Sequence, residues 1–177
     1  MTERERKPTV NPLDYPPMDA IRRNHALEHA TINVLTERCP TLRLVGRSDW
    51  EGFTLYGSVE TSEVTRAVSE ALQRLNAGES QLAIHPRCGT NVATGVVLAG
   101  LVSYITLGNR KRSPFAKLLQ VSLGLATALA LAQPLGTRLQ KLITTSPDVS
   151  GVRIADIHCL KQGKLTVHRI KTVQVQP

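Results

Sequence analysis

Val92-Ala93-Thr94-Gly95-Val96-Val97-Leu98-Ala99-Gly100-Leu101-Val102-Ser103-Tyr104-Ile105-Thr106-Leu107 contains no Asp, Glu, Lys or Arg. The charge-free stretch runs from Cys88 to Asn109, close to the roughly 20 residues a helix needs to cross a bilayer. Arg110-Lys111-Arg112-Ser113-Pro114 interrupts it. A second charge-free run, rich in Leu, Ala and Gly, extends from Leu118 to Thr137, weakened by Gln120, Gln133 and Pro134. Two such runs joined by a short basic loop predict a transmembrane helical hairpin over residues 90–138, with helices at about 91–108 and 117–137. A buried hairpin in a soluble protein is the alternative. Small residues Gly95, Gly100, Ala126 and Ala130 are expected to let the two helices approach closely.

Upstream, Met1 to Pro17 is charged and proline-rich and reads as a flexible leader over 1–17. No apolar core follows Lys7, so it does not read as a signal peptide. A helix is expected from about Asp19, as N-cap, to the residues before Pro40. Residues 41–58 read as a β-hairpin: Leu42, Leu44 and Val45 form one arm, Phe53, Leu55 and Tyr56 the other, and Gly46 to Gly52 the turn. Val64, Ala67, Val68, Ala71, Leu72 and Leu75 recur at helical spacing over 62–76, and Asn76-Ala77-Gly78 closes that helix. Gln81-Leu82-Ala83-Ile84 reads as a short strand.

Downstream, Val152–Leu160 and Leu165–Val173 alternate around Lys161-Gln162-Gly163-Lys164, a second hairpin signal within 147–175. It is expected to pair with the strands before the apolar helices. The predicted class is α+β. A small soluble α/β domain is built from both chain ends (18–89 and 147–175) and interrupted by the membrane hairpin.

The chemistry concentrates in two short motifs. In Asn24-His25-Ala26-Leu27-Glu28-His29-Ala30-Thr31-Ile32, His25 and His29 are four apart and share a helix face, with Glu28 beside them. Zinc hydrolases use this H-x-x-E-H spacing with both histidines on the metal and the glutamate as general base. The second motif, His85-Pro86-Arg87-Cys88-Gly89-Thr90-Asn91, immediately precedes the first apolar helix. Tetrahedral Zn²⁺ accepts His nitrogen and Cys sulfur, so His85 or Cys88 is expected to complete the set begun by His25 and His29. Three ligands and an open position define a catalytic site with Glu28 as base. All four residues on the ion define a structural one. Arg87 stabilises an oxyanion or phosphate, or anchors at lipid headgroups. Thr90 and Asn91 suit a cap for the following helix. His158, Cys159 and His168 read as pendant strand residues rather than a second cluster, and Cys39 as an idle thiol.

The ordered pair, H-x-x-E-H-x-T-I followed by H-P-R-C-G-T before a membrane helix, resembles the signature of the YqhQ-type bacterial membrane-protein family. It is also similar to cyanobacterial proteins carrying HALEHATI and HPxCGTN. The resemblance covers about a third of the chain. It departs from the YqhQ-type pattern at Ala30 and Asn91, where that family has lysine and serine. It implies a metal-dependent enzyme and names no substrate.

Composition fits a membrane location. The 177 residues are 41% hydrophobic but only 3% aromatic, with a net charge of +8 and a pI of about 9.9. This balance suits anionic headgroups beside a membrane segment. Without interleaved aromatics, the basic loop 110–112 is not expected to bind nucleic acid. Three widely spaced cysteines imply no disulfide framework and a reducing compartment. The expected location is a bacterial plasma or thylakoid membrane, with the soluble part on the cytoplasmic side. Applied to Arg110–Arg112, the positive-inside rule points the other way. Two function classes follow: a membrane-bound metal-dependent hydrolase, such as a peptidase, acting on a membrane-associated peptide or lipid-like substrate, or a non-enzymatic scaffold subunit whose metal or polar cluster is structural.

Overall fold

A computed structural model describes residues 11–108, 113–162 and 165–175. Its elements in chain order are α1 (Met18–Arg38), β1 (Val45–Asp49), β2 (Gly52–Tyr56), α2 (Thr61–Asn76), α3 (Gly89–Gly108), α4 (Pro114–Leu139), β3 (Val152–Gln162) and β4 (Leu165–Gln174). The class is α+β, as expected. The basic loop Arg110–Arg112 and the turn residues Gly163 and Lys164 lie outside the described residues.

The four strands form one antiparallel sheet in the order β1-β2-β4-β3. Its central seam is β2 against β4, with Phe53 opposite Ile170 and Leu55 opposite His168. Strands from before and after the apolar helices therefore share one sheet. Side chains alternate across a strand, so Phe53, Leu55 and Ile170 all point to the face covered by α1 and α2, and each is 0% exposed. α2 contributes Val64, Ala67, Val68, Ala71 and Leu75 to this core. α1 contributes Ala26, Leu27, Ala30, Ile32, Val34 and Leu35.

A buried polar link fixes α1 on the sheet. Asn24 Nδ2 donates to the Asp49 carbonyl (2.9 Å), and Thr172 Oγ1 donates to Asn24 Oδ1 (2.7 Å). Both functional groups of this buried amide are satisfied, as burial demands. The rotation of α1 about its own axis is set by this contact one residue before His25.

Several expectations are corrected. α1 begins at Met18 after an N-cap at Pro17, and Asp19 lies in its first turn, paired with Arg23 at 2.9 Å. β1 starts at Val45, so Gly46 to Asp49 are strand rather than turn, and only Trp50 and Glu51 separate the arms. The long loop was an over-reading of Gly, Ser and Asp, which also occupy edge strands. Ser80–Ala83 is a 3₁₀ turn, not a strand; four residues carry too little pattern to separate the two. Within the presumed leader, Pro12–Asp14 forms a 3₁₀ turn, and Arg22 Nη1 donates to Asp14 Oδ1 (3.0 Å).

α3 and α4 pack as an antiparallel hairpin and are long and apolar enough to cross a membrane. Their candidate spans are Gly89–Leu107 and Pro114–Thr144, with mean hydropathies of 1.5 and 1.6. The contact stripe on α4 differs from the expected one. A Cβ built on Gly124 would lie 2.2 Å from Val102 Cγ1, one on Gly95 would lie 3.3 Å from the Ala132 Cβ, and one on Gly136 would meet Asn91 at 2.3 Å. Ala128 is buried. Gly124, Ala128, Ala132 and Gly136 thus recur every four residues along one helix face. Gly100 has open space around it, and Ala126 and Ala130 are exposed.

Candidate metal centre

α1 presents His25, Glu28 and His29 towards the loop that leads into α3. His29 Nδ1 lies 2.8 Å from the Ala83 carbonyl, and His25 Nδ1 lies 2.9 Å from the Thr144 carbonyl. A carbonyl only accepts, so each Nδ1 carries the proton and each Nε2 is left with a free lone pair. Metal-binding histidines are oriented in this way by their outer partners. His25 Nε2 stands 3.4 Å from Cys88 Sγ. One ligand atom from each of His25, His29 and Cys88 lies within 4.8 Å of the other two. The motif after residue 84 and the helical motif before residue 30 therefore meet in space.

The other expected site residues surround this group. His85 lines the same cavity, its ring centroid 5.8 Å from that of His29, but it stands outside the three-residue group. Its Nδ1 is buried without a partner. Burial, then the neighbouring His29, Arg87 and His25, push its pKa down to about 4, so the ring is neutral at pH 7. Burial pushes the Cys88 thiol up, but contacts with His29 and Thr90 more than reverse this and leave it below its ordinary value. That favours the thiolate a metal requires. Glu28 is only 4% exposed and accepts a hydrogen bond from Ser48 Oγ. Its burial raises its pKa, against opposing effects from Ser48 and His25. Arg87 is exposed at the rim.

Three supporting residues were not read from the sequence. Ser48 holds Glu28, and Thr144 orients His25 through its carbonyl. Gln140, fully buried, accepts from the His85 N–H (3.0 Å) and donates to the His85 carbonyl (3.2 Å) and to Asn91 Oδ1 (2.8 Å). Gln140 and Thr144 follow α4, so both ends of the apolar hairpin close on the site. The only advance signal was a lone amide, Gln140, just beyond the end of an apolar run. Thr90 and Asn91, expected as caps, instead contact Cys88 Sγ and the Pro86 carbonyl. Cys159 pairs across the sheet with His168, and His158 turns to Asp156 at 2.5 Å. Among the described residues these do not form a metal-binding group. Cys39 is exposed.

The cluster opens into a cavity of about 560 Å³ between α1, β1 and the start of α3. An α+β fold with a His-His-Cys cluster at the base of an apolar helical hairpin defines the class. Residues 20–157 match the family described as "Domain of unknown function (DUF6391)", and the chain belongs to that family. The match includes both motifs and both apolar helices. An uncharacterised protein of the cyanobacterium Picosynechococcus sp. PCC 7002 is 42% identical over 135 residues, 71% of this chain and 66% of that protein. The aligned part of this chain thus spans just under two thirds of that relative's length. No solved structure matches.

Proposed function

We propose that this protein is a membrane-bound hydrolase dependent on a divalent transition metal, zinc before others, with its site at the membrane surface. The observation that carries the reading is the convergence of His25, His29 and Cys88, both imidazoles fixed by backbone carbonyls, beside the buried carboxylate of Glu28. The donor set is that of zinc sites with nitrogen and thiolate ligands. Ligand atoms around a tetrahedral zinc stand roughly 3.3–3.8 Å apart. The 3.4 Å separation of His25 Nε2 and Cys88 Sγ already matches. The remaining separations, up to 4.8 Å, would need to close by about 1 Å around a bound ion.

A bound metal supplies Lewis acidity, lowering the pKa of water and polarising a substrate oxygen. Glu28 takes the proton from the attacking water and returns it to the leaving group. Burial raises its pKa, which strengthens it as a base for the first half of that task. Ser48 holds the carboxylate in place. His85 stands outside the three-residue group, so a metal held by His25, His29 and Cys88 would have room for water in a fourth position, which supports a catalytic rather than a closed site. Arg87 sits where it can meet an oxyanion.

The membrane placement rests on exposure. Val92, Val96, Val97, Leu101, Tyr104 and Ile105 of α3, and Phe115, Leu118, Leu119, Leu123 and Leu129 of α4, are all exposed. A soluble core hairpin would bury them. The substrate is then a membrane-associated peptide or lipid-like molecule, and the soluble part faces the cytoplasm. The ordered pair of motifs also supports a kinship with YqhQ-type proteins.

A second reading is a scaffold whose metal is structural. It is favoured by Thr144 and Gln140, which make the cluster a clasp between α1 and the base of the hairpin. Glu28→Gln separates the two. The hydrolase reading expects turnover of a screened ester or peptide substrate to fall at least a hundredfold with metal content unchanged. No turnover by the wild type, with metal bound in both proteins, would leave the scaffold; turnover unchanged in Glu28→Gln would remove Glu28 as the base.

A further inference from the structure

Along α3, Thr90, Ala93 and Val97 recur at helical spacing and share one face. Along α4 and the helical turn that follows it, Leu135, Arg138, Leu139 and Leu142 do the same. The two rows flank a groove of about 460 Å³. They border the close seam of the hairpin, where Gly136 meets Asn91 and Gly95 faces Ala132. The groove follows α3 from Thr90 to Leu98, a rise of about 12 Å. Thr94 also lines it, but its hydroxyl is engaged by the Thr90 carbonyl (2.7 Å), so the walls along the helices are apolar. Val97 and Leu142 are exposed.

The two polar features of the groove lie at its shallow end. The contact of Gly136 with Asn91 in an antiparallel pair puts Arg138 level with the first turn of α3, which in the membrane reading is headgroup level. Arg138 is exposed and has no hydrogen-bond or ion-pair partner among the described residues. Thr90, the other feature, lines both this groove and the cavity of the His-His-Cys cluster. Its N–H donates to Cys88 Sγ (3.4 Å). The groove therefore ends at the wall of the candidate metal centre.

We infer that this groove seats an acyl chain of an anionic membrane lipid, with Arg138 at the headgroup and the head presented across Thr90 to the His25-His29-Cys88 cluster. An apolar slot entering the hydrocarbon with a cation at its water end is complementary to that amphiphile, chain inside and charge at the surface. A helix from a second copy of the hairpin fits less well. Neither α3 nor α4 carries an Asp or Glu, so such a packing would cover Arg138 without pairing it. The lipid as substrate rests on the hydrolase reading and narrows it to an acylated substrate; occupancy of the groove stands without that reading.

The test is photolabelling of the full chain in phosphatidylcholine nanodiscs. The probe is a trace of phosphatidylglycerol with a diazirine in its acyl chain, and peptide mass spectrometry maps the attachment. Ala93→Phe and Val97→Phe fill the groove, Arg138→Gln removes the cation, and Leu119→Phe is a control at the other end of α4. All four positions are exposed, and melting profiles report the fold. Labelling is expected to concentrate on residues 90–98 and 135–142. It should fall about fivefold or more in both groove-filling variants and stay unchanged in Leu119→Phe. A phosphatidylcholine probe with the same chain should label the groove about fivefold less, the worth of one basic residue at an anionic headgroup, and Arg138→Gln should abolish that gap. Labelling spread evenly over both helices, groove labelling untouched by the filling variants, or equal labelling of wild type by the two probes overturns the inference. Glu28-dependent turnover is measured apart. Turnover with an evenly labelled hairpin would sink this inference and keep the hydrolase; a labelled groove without turnover would do the reverse.

Discussion

A Cβ placed on Gly46 would lie 2.0 Å from Glu28 Oε1, so the absent side chain is what admits the carboxylate beneath β1. Gly46→Ala should displace the carboxylate from Ser48. The end of a glutamate rotates more easily than a strand moves, so stability should fall by no more than about 1–2 kcal/mol. Turnover should fall at least tenfold while the metal stays bound. Parallel melting, metal analysis and rate measurement check this; a Gly46→Ala enzyme with normal turnover would remove Glu28 from the role of base. Histidine and cysteine identities were legible because metal chemistry needs few residue types at fixed helical spacing. Ser48 and Gly46 were not, because a lone serine and glycine look the same in a turn and on an edge strand.

Among the elements, β1 is tied to the sheet across its neighbour. Arg169 on β4 makes two parallel bonds to Asp49 on β1, both 2.8 Å, reaching past β2. Burial alone raises the Asp49 pKa, but the bonds to Arg169 and to the Glu51 amide more than offset this and leave it below the ordinary value. A carboxylate with a depressed folded-state pKa stabilises the fold above its unfolded pKa of about 3.9, and the effect disappears as pH falls through the folded value. The Asp49 side chain is 42% exposed, so solvent screening limits the contribution to about 1 kcal/mol or less. Asp49→Asn should therefore melt below wild type at pH 7, and the difference should shrink as pH falls below the unfolded value of about 3.9. A gap that does not narrow at all below that pH would mean that Asp49 acts through something other than its charge. The long elements were readable because each repeats its pattern several times: α2 by its apolar period, β3 and β4 by alternation, α3 and α4 by absence of charge. The 3₁₀ turn at Ser80–Ala83 is shorter than one period of any pattern. The packing stripe of α4 was misjudged for a related reason. In a run of alternating Ala and Leu every face has small residues, and only the partner helix selects one.

For the whole molecule, the sheet joins strands separated by more than a hundred residues, with Tyr56 opposite Val167. The chain's two ends fold together while the apolar hairpin projects from them. Membranes prepared from expressing cells should retain the protein in the pellet after an alkaline carbonate wash, since a chain that spans the bilayer is not stripped from it as a peripheral protein is. Release into the supernatant would instead favour a soluble protein whose hairpin is covered by another chain. At the root of the hairpin, α1, the 84–88 loop and the residues after α4 all contribute to one cluster, and this convergence is the central claim. Metal content of the detergent-purified protein, prepared without chelators, tests it most directly, with His25→Ala and Cys88→Ala beside wild type. About one transition-metal ion per chain in wild type, lost from both variants while their melting profiles stay cooperative, is the expected result. Wild type without metal, or metal retained in both variants, would contradict a centre built from the two motifs.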